Sequence, residues 1–242
     1  MSAPTATLLL RLDGPMQSWG TQSRFSNRDT GLEPSFSGVV GLLCAALGRP
    51  REAEIDDLAR LTMGVRVDRE GIMSVDYHTT GGTHLQAEKR KYGVANVDGS
   101  IGSNAILSDR FYLADAEFLV GLAGDRALLE EIGAALRSPR WQIYLGRKAF
   151  VPSAPVYLPD TAPWDGGLRD TPIEETLRSY PWLGHLPPAR RDAPERLRLV
   201  LPDARGADVR SDTPLSYADR RFATRMVRPG MVALADLEGV PA

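Results

Sequence analysis

The sequence has one cysteine, Cys44, among its 242 residues. A lone cysteine excludes an intrachain disulfide and is typical of proteins in a reducing compartment, so we expect a cytoplasmic location. The chain also lacks an apolar run of the about 18 residues that a transmembrane helix needs, and its first residues lack the cationic stretch of an export signal. We therefore expect a globular protein with no membrane partner.

Lysine is scarce as well, since 26 of the 29 basic residues are arginines and only Lys89, Lys91 and Lys148 are not. The net charge of −2 does not show the strongly basic character usual in nucleic-acid-binding domains. Basic residues are nevertheless grouped in 137–148 and 220–228, each with four basic residues and no acid. Codon composition explains the arginine bias equally well, but the grouping predicts a local groove for anions, which arginine binds in two-pronged geometry.

Histidine occurs only at His78, His84 and His185, and no cysteine accompanies the near pair in a metal-ligand spacing. We therefore expect neither a metal ion nor another cofactor. Cys44 lies in the apolar run VVGLLCAALG and lacks the exposed, electropositive setting of a nucleophilic thiolate. Acid–base ribonuclease chemistry stays open as an alternative, because the necessary groups occur close together in the sequence: Tyr77, His78, His84, Lys89 and Tyr92.

The hydrophobic pattern predicts an α+β fold. Apolar and alternating runs indicate strands at 8–12, 63–69, 72–78 and 116–122, and helical spacing indicates helices at 39–47 and 128–136. The two middle strands flank Glu70 and Gly71, a spacing that predicts a hairpin. Ser37 is the expected N-cap of the first helix, and Gly48 its expected end. One further strand would complete a ferredoxin-like βαββαβ unit.

We divide the chain into a palm domain at 1–150, interrupted by an insertion at 79–110, and a β-rich region at 151–242. The insertion is rich in glycine, serine, asparagine and charge, and long segments of that kind are usually functional or disordered. The last region begins with many prolines, which predict that no helix persists there.

The segment GPMQSWG (14–20) continues from the first strand into a loop that carries Gln17, Trp19 and Arg24. Loops lie on the surface, and an aromatic ring on a loop can stack on a nucleic-acid base, a contact worth about 1–3 kcal/mol. Gly38, in the first turn of the first helix, would let a phosphate approach free N–H groups. Close packing of the helix explains Gly38 equally well, and a half-buried loop anchor explains Trp19.

Five segments in order along the chain resemble the CasD subunits of type I-E CRISPR Cascade complexes, which belong to the RAMP superfamily. They are LLLRLDGPMQSWGTQSRF (8–25), SGVVGLLCAALG (37–48), DYHT (76–79), SPRWQIYLGRK (138–148) and RRFATRMVRPG (220–230). The chain departs from the family in the insertion and in the proline-rich stretch 159–194, so no contacts are carried over there.

The resemblance implies an RRM-like palm, an inserted β-hairpin thumb and a small β-rich C-terminal part. It implies a non-catalytic subunit that binds and caps the 5′ handle of the mature guide RNA. The partners would be the large subunit and the adjacent backbone subunit of the complex, which supports RNA-guided DNA interference in antiviral defence. Target DNA would be met only through the complex.

The matched motifs and the basic segments together give the candidate RNA-binding residues: Gln17, Trp19, Gly20, Arg24, Ser37, Gly38, His78, Lys89, Arg90, Lys91, Arg140, Tyr144, Gly146, Arg147 and Lys148. No catalytic residue is assigned. Two alternatives stay open: a metal-independent endoribonuclease that processes precursor guide RNA, and a scaffold whose basic stretches contact only acidic groups of other proteins.

Overall fold

A computed structural model describes residues 6–20, 26–82, 92–96, 98–161, 164–185 and 194–237. The strands within these ranges are β1 (Ala6–Asp13), β2 (Met16–Gln17), β3 (Asn27–Arg28), β4 (Thr62–Arg69), β5 (Ile72–Thr80), β6 (Val94–Ala95), β7 (Ile101–Gly102), β8 (Ile106–Ala114), β9 (Glu117–Gly124), β10 (Leu168–Arg169), β11 (Arg196–Pro202), β12 (Asp208–Ser216) and β13 (Arg221–Ala233). The helices are α1 (Phe36–Leu47), α2 (Asp56–Ala59), α3 (Arg126–Arg137) and α4 (Ile173–Ser179), with single 3₁₀ turns at Leu183–His185 and Leu234–Asp236. In the described part of the chain, no helix is long and apolar enough to cross a membrane.

Seven strands form one antiparallel sheet in the order β10-β1-β9-β4-β11-β13-β12. The helix α1 lies between β1 and β4 in the chain, and α3 lies between β9 and β10. A short strand, β10, follows α3 in the chain and pairs with the outer edge of β1. The strands of the β-rich region 151–242 continue the same sheet, because β11 pairs with β4.

The first face of the sheet packs against α1 and α3. Its core contains alternate residues of three strands together with apolar residues of both helices: Leu8, Leu10, Leu12, Met63, Val65, Val67, Phe118, Val120, Leu122, Val39, Val40, Leu43, Leu129 and Ile132. The two helices predicted from 3.6-residue periodicity are confirmed at 36–47 and 126–137. The N-cap of α1 is Ser35, not Ser37, because the Ser35 hydroxyl accepts the hydrogen bond from the Gly38 N–H.

The second face of the sheet is covered too. Side chains that alternate with those of the first face pack against α4 and the turn that follows it. The strands contribute Leu9, Leu119, Leu197, Leu199 and Leu201, and α4 with its following turn contributes Leu177, Tyr180 and Leu183. The expectation that no helix persists among the prolines is wrong for 173–179. Pro172 and Pro181 flank α4 instead of interrupting it, so no hydrogen bond within the helix is lost.

A buried ion pair links α4 and the turn that follows it to the sheet. Arg66 and Asp68 of β4 are almost completely buried, and Arg66 Nε lies 2.7 Å from Asp68 Oδ1. Arg66 Nη1 and Nη2 donate to backbone carbonyls of α4 and its following turn: Leu177 (3.0 Å), Tyr180 (2.5 Å) and Pro181 (2.8 Å). All strong donors of this buried cation are thus satisfied, which is the condition for tolerating it in a core.

The hairpin predicted for 63–78 is wrong. β4 pairs with β9 and β11 in the core sheet, whereas β5 pairs along its whole length with β8, from Ile72 opposite Ala114 to Thr80 opposite Ile106. Six consecutive residues of β4 are buried, while β5 is mostly exposed on both faces, so only β4 suits the core. β5 and β8 therefore form one ribbon that flanks the predicted insertion and begins before residue 79.

Candidate nucleic-acid interface

The two most distinctive segments, GPMQSWG and YLGRK, are in contact. Ser18 N donates to Leu145 O at 3.1 Å. Gly146 has a φ of +89°, and a Cβ atom there would lie 1.7 Å from Ser18 O. Only glycine fits this crossing, since any other side chain would occupy the space of the neighbouring backbone. The fold thus brings together segments that are more than 100 residues apart.

Gln17 holds the opening loop in the core. Its Nε2 donates to Ala116 O at 2.7 Å and to Leu12 O at 3.1 Å, and its Oε1 accepts from Trp19 Nε1 at 3.2 Å. The side chain is fully buried. It is therefore not available to RNA in this structure, contrary to the expectation from the loop position.

Trp19 is buried as well, with 1% of its surface exposed, and is corrected from a base-stacking residue to a core residue. A Cβ atom at Gly38 would lie 2.8 Å from the ring, so the glycine is needed for this packing. The start of α1 is not open to phosphate either. Ser35 caps the Gly38 N–H, and Asp212 Oδ2 accepts from Phe36 N at 2.7 Å, so a carboxylate already occupies the positive end of the helix.

Four of the candidate residues line one cleft, which we call the aromatic cleft. Ser37 and Gly38 form its α1 wall, and Tyr144 and Gly146 form the opposite wall. The cleft encloses about 310 Å³ and is also lined by Trp141, Tyr217, Arg49 and Arg51. The arrangement places three aromatic rings and two arginines around a space large enough to hold a nucleobase.

Two groups in the cleft wall are chemically inert. Burial raises the pKa of the Cys44 thiol to about 11, so it stays protonated at neutral pH. Burial also raises the pKa of the Tyr217 hydroxyl well above its usual range, and this hydroxyl donates to Ser37 O. Neither group is activated for nucleophilic or acid–base chemistry.

Arg147 lies beside the aromatic cleft. Its Nη2 donates to Arg28 O at 3.2 Å, and its guanidinium lies 5.5 Å from the centroid of the Phe150 ring. Burial, together with the positive charges of Arg110 and Arg28, lowers the pKa of Arg147. The side chain therefore lies in a partly buried and positive environment, as expected for a group that binds an anion.

The two basic stretches differ in how much of their charge is neutralised. In 220–228, Arg225 lies 2.7 Å from Asp212 and Arg228 lies 2.5 Å from Glu174, both residues distant in sequence. The fold therefore neutralises Arg225 and Arg228, whereas Arg220 and Arg221 at the start of this stretch are exposed. In 137–148 only Arg137 forms an ion pair with a described carboxylate, that of Asp160 at 2.8 Å.

The other candidate residues are placed apart from the cleft or have structural roles. Arg140 packs against the C-terminus of α1, where its backbone N–H donates to Ala46 O at 2.9 Å and its side chain covers Gly48. Gly20 and Lys148 are exposed. His78 lies on β5, half-exposed, with Nδ1 3.6 Å from Asp76 Oδ2.

The predictions for Arg24 and for Lys89, Arg90 and Lys91 fall outside the described residues. Within the described part, no three or more His, Cys, Asp or Glu side chains are grouped to hold a metal ion. Sequence reasoning missed Arg28, Arg110, Arg51 and Tyr217. They come from four separate segments, and none stands in a basic run near the candidate motifs.

Residues 7–229 match the family model described as CRISPR-associated protein (Cas_Cas5). The chain is 32% identical over 168 residues to the CRISPR system Cascade subunit CasD of Escherichia coli (strain K12), which covers 62% of this chain and 69% of that protein. It is 43% identical to a chain described as "Crystal structure of Cas protein", with a TM-score of 0.73 and coverage of 98% of this chain and 100% of that one. A chain of a "CRISPR RNA-guided surveillance complex" is 37% identical, with a TM-score of 0.76 and coverage of 96% and 93%.

These matches span the central sheet, both motif loops and the C-terminal strands. They confirm the resemblance found in the sequence motifs. The chain belongs to the Cas5 family of CRISPR-associated proteins.

Proposed function

We propose that this protein is a non-catalytic subunit of a CRISPR Cascade complex and that it binds and caps the 5′ handle of the mature guide RNA. Its similarity to a Cascade subunit and to a chain of an RNA-guided surveillance complex supports a place in such an assembly. The observation that carries the RNA-binding role is the aromatic cleft between α1 and the YLGRK loop, which is lined by three aromatic rings. Arg147 of the same loop forms no ion pair with a described carboxylate and donates to Arg28 O.

The RNA binds at the loops and not on the sheet. An RRM stacks bases on an open face of its four-stranded sheet. Here both faces are covered, one by α1 and α3 and the other by α4. The strand order β10-β1-β9-β4, with α1 and α3 between strands, supports a ferredoxin-like palm whose binding surface has moved to its rim. The β5–β8 ribbon is then the thumb, and β11–β13 form the C-terminal part.

Within this rim, Trp141 and Tyr144 provide the stacking surfaces. Trp141 is 47% exposed, so its ring is accessible to a base without rearrangement of the core. Arg147 and Lys148 lie next to them in sequence and supply positive charge for the backbone. Combined aromatic and cationic surfaces of this kind bind unpaired RNA.

In the complex, the protein contacts the large subunit and the adjacent backbone subunit, and it meets target DNA only through the assembly. No reaction is assigned to it. In the described residues the His78 ring pairs only with Asp76, and the groups lining the aromatic cleft include a protonated thiol and a protonated phenol. A cytoplasmic location remains a prediction from the sequence.

The test is to purify the chain with the subunits encoded beside it and to sequence the RNA that co-purifies. We expect guide RNAs with one common 5′ handle. Random RNA fragments would contradict the proposal, and assembly of the same complex after ribonuclease treatment throughout purification would support a protein-only scaffold instead.

A second assay separates binding from cleavage. The isolated protein is incubated with repeat RNA in the presence of EDTA, alongside a His78→Ala variant. We expect intact RNA in both reactions. Specific cleavage by the wild type that is lost in the variant would establish the endoribonuclease alternative.

A further inference from the structure

Three arginines from separate segments meet beside the aromatic cleft. β3 and β8 pair in parallel, with Arg28 directly opposite Arg110. Arg147 reaches the same place from the loop after α3, where its Nη2 donates to Arg28 O at 3.2 Å. Like charges directly opposite each other on paired strands are unfavourable, so this juxtaposition works against the stability of the empty protein. We name these three residues the arginine cluster.

Within the described part of the chain, the arginine cluster is not neutralised by ion pairs. In the described ranges, none of the three guanidinium groups forms an ion pair, whereas the arginines of the ordinary ion pairs, such as Arg11 and Arg66, lie within 3 Å of a carboxylate oxygen. Asp76, opposite Arg110 on β5, and Asp29, next to Arg28 in the sequence, offset part of the positive charge around Arg147. Arg110 donates from Nε to the neutral hydroxyl of Ser108 at 3.0 Å.

The hydrogen-bonding capacity of Arg147 is not fully used among the described residues. Its Nη1 is buried and has no hydrogen-bond partner among the described residues. Buried polar atoms nearly always have a partner, so this exception needs an explanation, and an anion bound at the cluster supplies one. The lowered pKa of Arg147 agrees with this geometry, since burial and two neighbouring positive charges disfavour its charged form until an anion arrives.

We infer that Arg28, Arg110 and Arg147 form a binding site for a phosphate group. The inference rests on the proposed function for the identity of that phosphate, which is one phosphodiester of the guide-RNA handle. Gly146 lines the aromatic cleft and Arg147 follows it directly, so a base in the cleft and its own or the next phosphate in the cluster are compatible with one continuous strand. Several converging guanidinium forks suit the oxygens of a phosphate better than a single carboxylate.

The first experiment measures binding of the full-length protein to a single-stranded RNA with the handle sequence, by fluorescence anisotropy over a range of salt concentrations. Arg28→Gln, Arg110→Gln and Arg147→Gln should each weaken binding about tenfold, as expected for loss of a charge-assisted contact. The slope of log K against log salt should become shallower by about 0.7 for each lost phosphate contact. Arg147→Lys should recover the slope but only part of the affinity, because it keeps the charge and loses the fork.

Arg126→Gln is the matched control. Arg126 is a surface arginine on α3 whose guanidinium is already paired with Glu130 and Asp170, so its replacement should leave the affinity and the slope unchanged.

An RNA in which one handle phosphate is replaced by a neutral methylphosphonate gives a double-mutant cycle. The neutral linkage should weaken binding to the wild type and have no further effect on Arg147→Gln.

A second readout does not depend on RNA. Inorganic phosphate should raise the thermal midpoint of the wild type more than chloride at equal ionic strength, and it should not do so for Arg110→Gln or Arg147→Gln. Without phosphate, Arg110→Gln should not lower the midpoint, because it removes repulsion. A lowered midpoint would show that the cluster is structural.

The two readouts separate the site from the proposed function. Tight handle binding with wild-type affinity and slope in all three glutamine variants would overturn the phosphate site and leave the function standing. Phosphate stabilisation through the cluster in a protein that does not prefer the handle to scrambled RNA would support the site and overturn the function. Absence of both effects would overturn both.

Discussion

Replacement of Gly146 by alanine tests whether the contact between the two motif loops supports both folding and RNA binding. The added Cβ would lie 1.7 Å from Ser18 O, whereas ordinary contacts begin at 3.4 Å, so the loops must separate by about 1.7 Å. The left-handed backbone adds a strain of about 1–2 kcal/mol for a residue other than glycine. Loss of the hydrogen bond from Ser18 N to Leu145 O adds about 1 kcal/mol.

Together these terms predict a loss of about 3 kcal/mol in the free energy of unfolding, or a thermal midpoint about 6–12 °C lower for a chain of this size. The measurement is urea denaturation followed by tryptophan fluorescence. Gly99→Ala is the control, because Gly99 also has a left-handed φ of +79° but no atom lies within 4 Å of the added Cβ. It therefore carries the backbone strain without the steric clash.

The same substitution should impair RNA binding under conditions where the variant is fully folded. A separation of the loops moves Arg147 away from Arg28 O, to which it donates at 3.2 Å. We expect the handle affinity to fall about tenfold, a loss of about 1.4 kcal/mol. Stability and affinity equal to those of Gly99→Ala would refute the role of this crossing.

Three further predictions concern the buried Arg66–Asp68 ion pair, the α1–α2 connection and the aromatic cleft. Arg66→Met should lower the free energy of unfolding by about 3–5 kcal/mol in urea titrations, because it leaves a buried carboxylate without its partner; a loss below 1 kcal/mol would contradict this. Hydrogen bonds from Arg49 lower the pKa of Asp57, so this pair stabilises the fold above the ordinary aspartate value of 3.8, and the contribution is lost as the pH falls through the lower folded-state pKa. Asp57→Asn should remove that acid-dependent loss, worth about 0.5–1 kcal/mol for a partly exposed pair, and an unchanged pH profile of unfolding would argue against it. Trp141→Ala should weaken handle binding by about 1–3 kcal/mol at an unchanged thermal midpoint, whereas Phe222→Ala, an equally exposed ring that does not line the cleft, should not.

Local patterns were sufficient for the elements whose signal is local. The apolar run of β1 reflects a strand buried on both faces, and the helical spacing of α1 and α3 reflects one buried face of each helix; the structure confirms all three. Strand pairing was not predictable in the same way. β4 and β5 both show alternation and are joined by a short turn. β5 nevertheless pairs with β8, about 30 residues away, because β4 is buried in the core sheet on both faces.

In the candidate site, too, some residues are indicated by a local sequence pattern, whereas others are brought together only by strand pairing. The YLGRK loop carries its own signal, with aromatic and basic residues interleaved, and the structure places Tyr144 and Gly146 in the aromatic cleft. The role of Trp19 was misjudged because a ring on a loop gives no indication of whether the loop folds inward. Arg28 and Arg110 are 82 positions apart, and only the parallel register of β3 and β8 places them together.

The most direct measurement is ultraviolet crosslinking of guide RNA to this chain in the assembled complex, followed by mass spectrometry of the crosslinked peptides. Handle nucleotides should crosslink to the peptide that contains Trp141 and Tyr144, and this crosslink should weaken in the Arg147→Gln variant. Crosslinks to that peptide only from spacer nucleotides, or handle crosslinks confined to strands β11–β13, would contradict binding of the handle at the aromatic cleft.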